Sequence, residues 1–206
     1  MLYVLDLCSA TGNFSRSFEL HPNYSVIRIE IDPKYEDVPY TQIKSVLDWM
    51  DWIDELPPIH LVLASPPCTE YSLARGKKTD PDTAVWQACQ DIIDHLDPEW
   101  HMIENVRGAI STWGPANQSL GPFYFWGRFP RLHVSVRYSG QAWFPHAKAY
   151  PKTKGDGKWI FERRWIGAYE EYNKWDQENN AAIPLIISDA ILDELEMFQS
   201  LERWIE

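Results

Sequence analysis

Ile59-His60-Leu61-Val62-Leu63-Ala64-Ser65-Pro66-Pro67-Cys68 is the stretch on which the fold turns. From Ile59 to Ala64 it is short and almost wholly apolar, which predicts a strand buried on both faces in a parallel sheet. Pro66 and Pro67 cannot donate to a sheet ladder, and both restrict the backbone, so the strand ends there. The next residue is Cys68. A thiol on a stiff turn at the carboxyl end of a buried parallel strand stands where open α/β sheets place their ligands, which makes Cys68 a candidate nucleophile. A lone cysteine is more often an inert core residue, so the assignment depends on what surrounds it.

Upstream, Leu2–Asp6 reads as a strand that runs through Leu7 into the small-residue turn Cys8-Ser9-Ala10-Thr11-Gly12-Asn13, and Phe14–Leu20 reads as a helix. Strand, small-residue loop and helix form the first half of a nucleotide-binding βαβ unit, and Gly12 permits the positive φ such a turn needs. Ser25–Asp32 is a second strand, with Glu30 placed 18 residues after Gly12. That spacing suits an acid that accepts hydrogen bonds from both ribose hydroxyls of an adenosine. A third strand is expected within Pro39–Val46, ending near Asp48, and a short helix over Asp48–Leu56.

Downstream comes a basic loop containing Arg75, Lys77 and Lys78, then a helix with Val85, Ala88, Cys89, Ile92 and Leu96 on one face, where Cys89 reads as core. Trp100–Val106 is the next strand and carries Glu104 and Asn105 near its end. Strands alternating with helices predict a mostly parallel α/β sheet with helices on both faces. Gly12, Glu30, Asp48, Cys68 and Glu104 then all fall on its carboxyl edge. Farther on, Gly121–Trp126 reads as an aromatic, turn-rich segment, Arg131–Tyr138 alternates like a strand, and Ala147–Trp159 reads as a basic loop. Pro184 opens a last helix with Ile187, Ile191, Leu195, Phe198 and Leu201 on one face.

The 206 residues suffice for one domain spanning 1–206. No run approaches a membrane span, and the start Met1–Asp6 reads as a strand and not a leader. The three cysteines, Cys8, Cys68 and Cys89, include no close pair, which argues against a disulfide framework and against a metal site, and for a reducing, cytoplasmic setting. The net charge of −11 is unevenly spread: residues 107–175 hold eleven Lys/Arg against four Asp/Glu, a balance of +7 that leaves −18 for the rest. A basic, aromatic face on an acidic body is the pattern expected of a nucleic-acid partner.

These motifs, taken in order, resemble the DNA cytosine carbon-5 methyltransferases. Asp6-Leu7-Cys8-Ser9-Ala10-Thr11-Gly12-Asn13-Phe14-Ser15 is similar to the family's cofactor loop, and Glu30-Ile31-Asp32 to its second motif. Ser65-Pro66-Pro67-Cys68 is similar to its Pro-Cys motif, Glu104-Asn105-Val106 to its Glu-Asn-Val motif, and Asn180–Pro184 to the segment that opens its final helix. The resemblance implies a Rossmann-like methyltransferase fold with S-adenosylmethionine as cofactor and S-adenosylhomocysteine as product. The implied cofactor contacts are Asp6, Cys8, Ser9, Ala10, Gly12, Asn13, Phe14, Glu30, Ile31, Asp48 and Pro66.

It implies Cys68 as the nucleophile that adds to carbon 6 of cytosine, and Glu104 as the donor to ring nitrogen 3. Arg137 is expected to complete the catalytic pocket, with Arg131 or the pair Arg163-Arg164 as the alternatives. Ser65, Pro67, Asn105, Arg75 and Arg131 are expected on the substrate. Cys8 stands where the family has Phe, and Ala10 and Asn13 stand where it has Gly. The 75 residues between Arg107 and Ile183 are few for a target-recognition region. The reading is therefore a minimal prokaryotic or viral enzyme in the cytoplasm of its cell or host, acting on DNA, with room for a partner subunit in target recognition. RNA as substrate, and a catalytically silent adapter that binds cofactor, are the alternatives.

Overall fold

Seven strands form one sheet: β1 (Leu2–Leu7), β2 (Tyr24–Glu30), β3 (Thr41–Ile43), β4 (Ile59–Ala64), β5 (Trp100–Asn105), β6 (Gln118–Leu120) and β7 (Phe123–Arg128). Their spatial order is β3-β2-β1-β4-β5-β7-β6. The first five run parallel, and β7 lies antiparallel to both β5 and β6. This is a Rossmann-like α/β fold, with the open carboxyl edge at which such sheets bind ligands. The computed structural model describes residues 1–71, 80–138, 159–163, 168–172 and 183–202.

Strand residues alternate between faces, so each strand feeds two cores. Val4, Val26, Leu61, Leu63, Met102 and Phe125 pack with Phe18 of α1 (Arg16–Glu19) and with Ile187, Ile191 and Leu195 of α4 (Leu185–Glu202). Leu5, Leu7, Ile29, Val62, Ala64 and Ile103 pack with Ala88, Cys89, Ile92 and Ile93 of α2 (Ala84–Leu96). A single-residue shift in β1, β2, β4 or β5 would exchange these two sets, which is why short runs specify their register so firmly.

Several elements differ from the sequence expectation. The Phe14–Leu20 helix becomes a 3-10 turn over Asn13–Ser15 followed by α1, a single turn, because the chain must already be entering β2 at Tyr24. The third strand shrinks to β3, whose Gln42 and Ile43 are exposed at the sheet edge and bury nothing to extend it. No α-helix spans Asp48–Leu56. Two 3-10 stretches stand there, Val46–Asp51 and Ile53–Glu55, with the Ser45 hydroxyl accepting the Leu47 N–H at 3.1 Å.

The aromatic segment at Gly121–Trp126 is no turn beyond Gly121-Pro122. It contains β7, whose Phe123 and Phe125 are buried in the α4-side core. Only Ser135–Tyr138 of the expected Arg131–Tyr138 strand is extended (β8), in a small antiparallel sheet with β9 (Trp159–Arg163) and β10 (Ala168–Tyr172). Upstream of it the Gln118 side chain does what a strand would do: its amide donates to Leu132 O at 2.7 Å and accepts the Leu132 N–H at 3.0 Å. Arg107–Ala109 is a 3-10 turn leading into α3 (Ile110–Trp113). The basic loops around Arg75 and Ala147–Lys158 lie outside the described residues.

β7 crosses β5 with Gly127 opposite Met102, at φ 131°. A Cβ there would lie 2.3 Å from the His101 carbonyl oxygen. Gly127→Ala should therefore destabilise the chain by about 2–4 kcal/mol, from overpacking against backbone plus an unfavourable φ. Urea denaturation of the variant beside the parent chain checks this.

Candidate active site

The loop after β1 curls back tightly. Cys8, Ala10 and Gly12 have φ values of 56°, 43° and 73°, a conformation that side chains other than glycine seldom adopt. Gly12 closes the turn by donating its N–H to Ser9 O at 2.8 Å. Glu30, at the end of β2, holds the loop from the side. Its Oε2 accepts the Ala10 N–H at 2.8 Å, and its Oε1 accepts those of Ile31 and Asp32 at 2.8 and 3.0 Å. A carboxylate has about four acceptor sites, so this pattern leaves one for an incoming hydroxyl.

Asp6 is wholly buried beneath the loop. Its Oδ2 accepts from Ser15 Oγ at 2.6 Å and its Oδ1 has no partner. Burial, partly offset by Ser15 and Arg28, pushes its carboxyl up to about 6. Half-buried Cys8 turns its thiol inward. Hydrogen bonding with Cys89 and then burial hold that thiol well above the usual range, so it is a neutral packing group and not a nucleophile.

Cys68 follows the end of β4, and Glu104 stands near the end of the neighbouring strand β5. β4 pairs in register with β5 up to Ala64 opposite Ile103, so the next residues, Ser65 and Glu104, face each other across the rim. Asn105, fully buried, then bridges the two exits. Its Nδ2 donates to Pro66 O at 2.9 Å, and its Oδ1 accepts the Val106 N–H at 2.9 Å. Pro67 leads into a 3-10 turn, Cys68–Glu70, that leaves Cys68 exposed. Glu104 is enclosed but still reachable from the rim, and burial pushes its carboxyl up to about 8. Ser65 sits close enough to temper that rise, although its hydroxyl makes no hydrogen bond of normal geometry. At neutral pH Glu104 is therefore protonated and able to donate.

The remaining expected residues divide. Ile31 is exposed on the rim beside Glu30, and Asp48 is exposed on the kinked 3-10 stretch. Phe14 is buried, with its ring 6.4 Å from that of Phe125, so its side chain belongs to the core. Arg131 is exposed beyond β6, where it lines an open cavity of about 630 Å³ with Gln118, Ser119 and His133. Arg137 stands in β8 opposite Ile160. Arg163 is buried and paired with Asp193 of α4. Arg75 and Arg164 lie outside the described residues. Among the described residues no group of His, Cys, Asp or Glu is placed to hold a metal ion, and no helix is long and apolar enough to cross a membrane.

Two features of the site escape a sequence reading. An aromatic cluster backs the Cys68 turn: Trp113 of α3 stacks on Trp86 of α2 at 5.1 Å and meets Tyr71 and Trp126 edge-on at 5.0 Å each. Its members lie far apart in the chain and share no period. The other is Arg28, a charged residue within β2 that is wholly buried under the loop.

The family model described as C-5 cytosine-specific DNA methylase matches residues 2–114, more than half of the chain. No curated protein matches. Among solved structures, the chain is similar to a DNA modification methyltransferase encoded within a prophage (E. coli) at 20% identity and TM-score 0.40, over 55% of this chain and 34% of that one. It is similar to a Spodoptera frugiperda DNMT2 mutant at 17% identity and TM-score 0.40, over 54% of this chain and 38% of that one. It thus spans little more than a third of the length of either.

A carboxyl raised from 4.5 to about 8 takes up a proton on folding, so its ionisation opposes folding as pH rises between those values. Glu104→Gln removes that term. The variant should gain stability over the parent chain as pH rises from 5 to 8, by at most ~1.4 kcal/mol per pH unit. Melting both proteins at pH 5, 6.5 and 8 tests this; a gap that does not widen with pH contradicts the raised carboxyl.

Proposed function

The chain belongs to the C-5 cytosine-specific DNA methylase family, and from that membership we propose that it methylates carbon 5 of cytosine in DNA through a covalent Cys68 adduct. The observation that carries this reading is the juxtaposition at the ends of β4 and β5. An exposed thiol follows the proline-stiffened exit of β4, a carboxyl kept protonated stands at the end of the adjacent β5, and one buried amide ties the two exits together.

The residues at the ends of β1 and β2 fit S-adenosylmethionine. The turn at Gly12 brings backbone close to the rim, Glu30 retains acceptor capacity for a ribose hydroxyl, and Ile31 offers an apolar surface beside it. That cofactor supplies an electrophilic methyl group on a sulfonium. Everything else falls to the chain. The Cys68 sulfur, as thiolate, bonds carbon 6 of the ring while Glu104 delivers its proton to nitrogen 3. The ring charge that would otherwise build up is neutralised, and carbon 5 acquires the nucleophilicity it lacks in cytosine. After carbon 5 has been methylated, loss of its proton to a base re-forms the double bond, breaks the sulfur–carbon 6 bond and frees Cys68, while nitrogen 3 returns its proton to Glu104. In a duplex the base must leave its stack to reach the thiol.

Cys68→Ser should lower tritiated methyl transfer to DNA below ~1% of the parent rate while S-adenosylhomocysteine still binds. DNA carrying 5-fluorocytosine should trap the parent chain as a stable adduct, because fluorine cannot leave as a proton does. Run beside it, an RNA substrate tests the alternative acceptor, and methylation of neither, with cofactor bound, identifies an adapter. Turnover by the serine variant above a few per cent removes Cys68 from the mechanism.

Glu30→Ala should weaken S-adenosylhomocysteine binding by about 1–3 kcal/mol, through the lost ribose acceptor and the released Ala10 amide. Calorimetry that finds equal affinity takes Glu30 out of the site.

A further inference from the structure

Arg28 lies on the α4-side face of β2, where its register partner across β1 is Asp6. It is 0% exposed, and a guanidinium wholly withdrawn from water is costly unless each face of it is used. Here it is used on three segments. Nε donates to Ser15 Oγ at 3.0 Å; Nη2 donates to Gly12 O at 3.2 Å and to Glu19 Oε2 at 3.0 Å; Nη1 donates to Pro39 O at 2.5 Å. These partners are the cofactor loop, the helical turn after it, and the turn that enters β3. A Cβ placed on Gly12 would lie 2.5 Å from Arg28 Nε and 2.8 Å from Cζ, so the loop rests directly on the guanidinium.

We propose that Arg28 is a positioning residue: it forms the floor that holds the Cys8–Asn13 loop in its cofactor-receiving shape, acting through Gly12 and Ser15 without touching cofactor or base. The inference rests on the cofactor reading above. The loop has three positive-φ residues in five positions and so does not hold this shape by backbone preference. Glu30 restrains it at Ala10, on its near side, and Arg28 restrains it at Gly12, from below. A residue that served only to fill the core would be apolar here, as Val4 and Val26 are on the same face.

The test uses Arg28→Met, which keeps the stem and removes the cation, and the milder Arg28→Lys, which keeps the charge and loses the fork. Amide hydrogen exchange is followed by segment, together with S-adenosylhomocysteine affinity and steady-state methyl transfer. In Arg28→Met the 8–13 segment should exchange about tenfold faster while β4 and β5 stay protected. The KM for S-adenosylmethionine should rise about tenfold with kcat nearly unchanged, and Arg28→Lys should fall between. Unchanged loop exchange and KM, or faster exchange spread evenly over the sheet in both variants, overturns the proposal. A parent chain that binds no cofactor overturns the reading of the previous subsection instead, and loop exchange then still decides whether Arg28 holds the loop.

Discussion

Two adjacent prolines at the end of a buried strand leave a problem that one side chain solves. Pro66 and Pro67 have no N–H to donate, so beyond Ser65 the chain has no ladder donors to fix where it goes. Asn105 supplies what is missing. Fully buried at the end of β5, it donates to the Pro66 carbonyl and accepts from Val106, so one amide satisfies the exits of both strands. An unanswered carbonyl at that depth costs about 1–3 kcal/mol. The larger consequence is geometric. Cys68 and Glu104 are 36 positions apart in sequence, and their relation at the rim is set by this bridge together with the parallel register of β4 and β5.

The three acids on the rim have different surroundings, and these set different chemistry. Glu30 receives three backbone N–H groups and acts as an acceptor that shapes the loop. Asp6 receives one hydroxyl and keeps an orphan oxygen, so burial dominates and raises it to about 6. Glu104 has burial as its dominant influence, with only Ser65 tempering it, and is raised to about 8. Burial without donors favours the neutral acid, and a neutral acid can deliver a proton where a carboxylate cannot. The dominance of burial over the one tempering neighbour, Ser65, is thus what suits Glu104 to its proposed part.

What the sequence made legible was whatever punctuates itself. β1, β2, β4 and β5 are short apolar runs closed by small residues, an acid, two prolines or an Asn, and their ends carry Gly12, Glu30, Cys68 and Glu104. α2 and α4 announce themselves by period. β7 does not, because Phe123–Arg128 is aromatic almost throughout, contains Gly127, and follows a Gly-Pro pair that reads as turn. The 3-10 stretches after β3 carry apolar residues at helical spacing, yet Trp52 satisfies its indole on Ser45 O and binds the segment as a compact turn. Arg28 and the Trp113 cluster are invisible for a common reason: their partners are remote in sequence, and only packing reveals them.

The two halves of the rim are braced from different places. The Cys68 turn leans through Tyr71 on the aromatic cluster, while the Gly12 loop leans through Arg28 on the opposite face of the sheet. They meet at the β1–β4 pairing, where Ser65 donates its N–H to Leu7 O at 3.1 Å. That pairing carries an irregularity near its start: Tyr3 lies opposite Ile59 but Val4 opposite Leu61, so His60 is passed over. From there on Leu5 faces Val62, Asp6 faces Leu63 and Leu7 faces Ala64. The skipped residue is held in place, with His60 Nδ1 3.2 Å from Glu99 Oε2 and its Nε2 3.2 Å from the Gln199 amide nitrogen. Without that skip each residue of β1 would face its neighbour's partner on β4, and Leu7 would no longer stand beside the exit that carries Cys68. The phase between the two halves of the site is therefore the in-register pairing of Leu5, Asp6 and Leu7 with Val62, Leu63 and Ala64, held by the burial of both faces of β1 and β4.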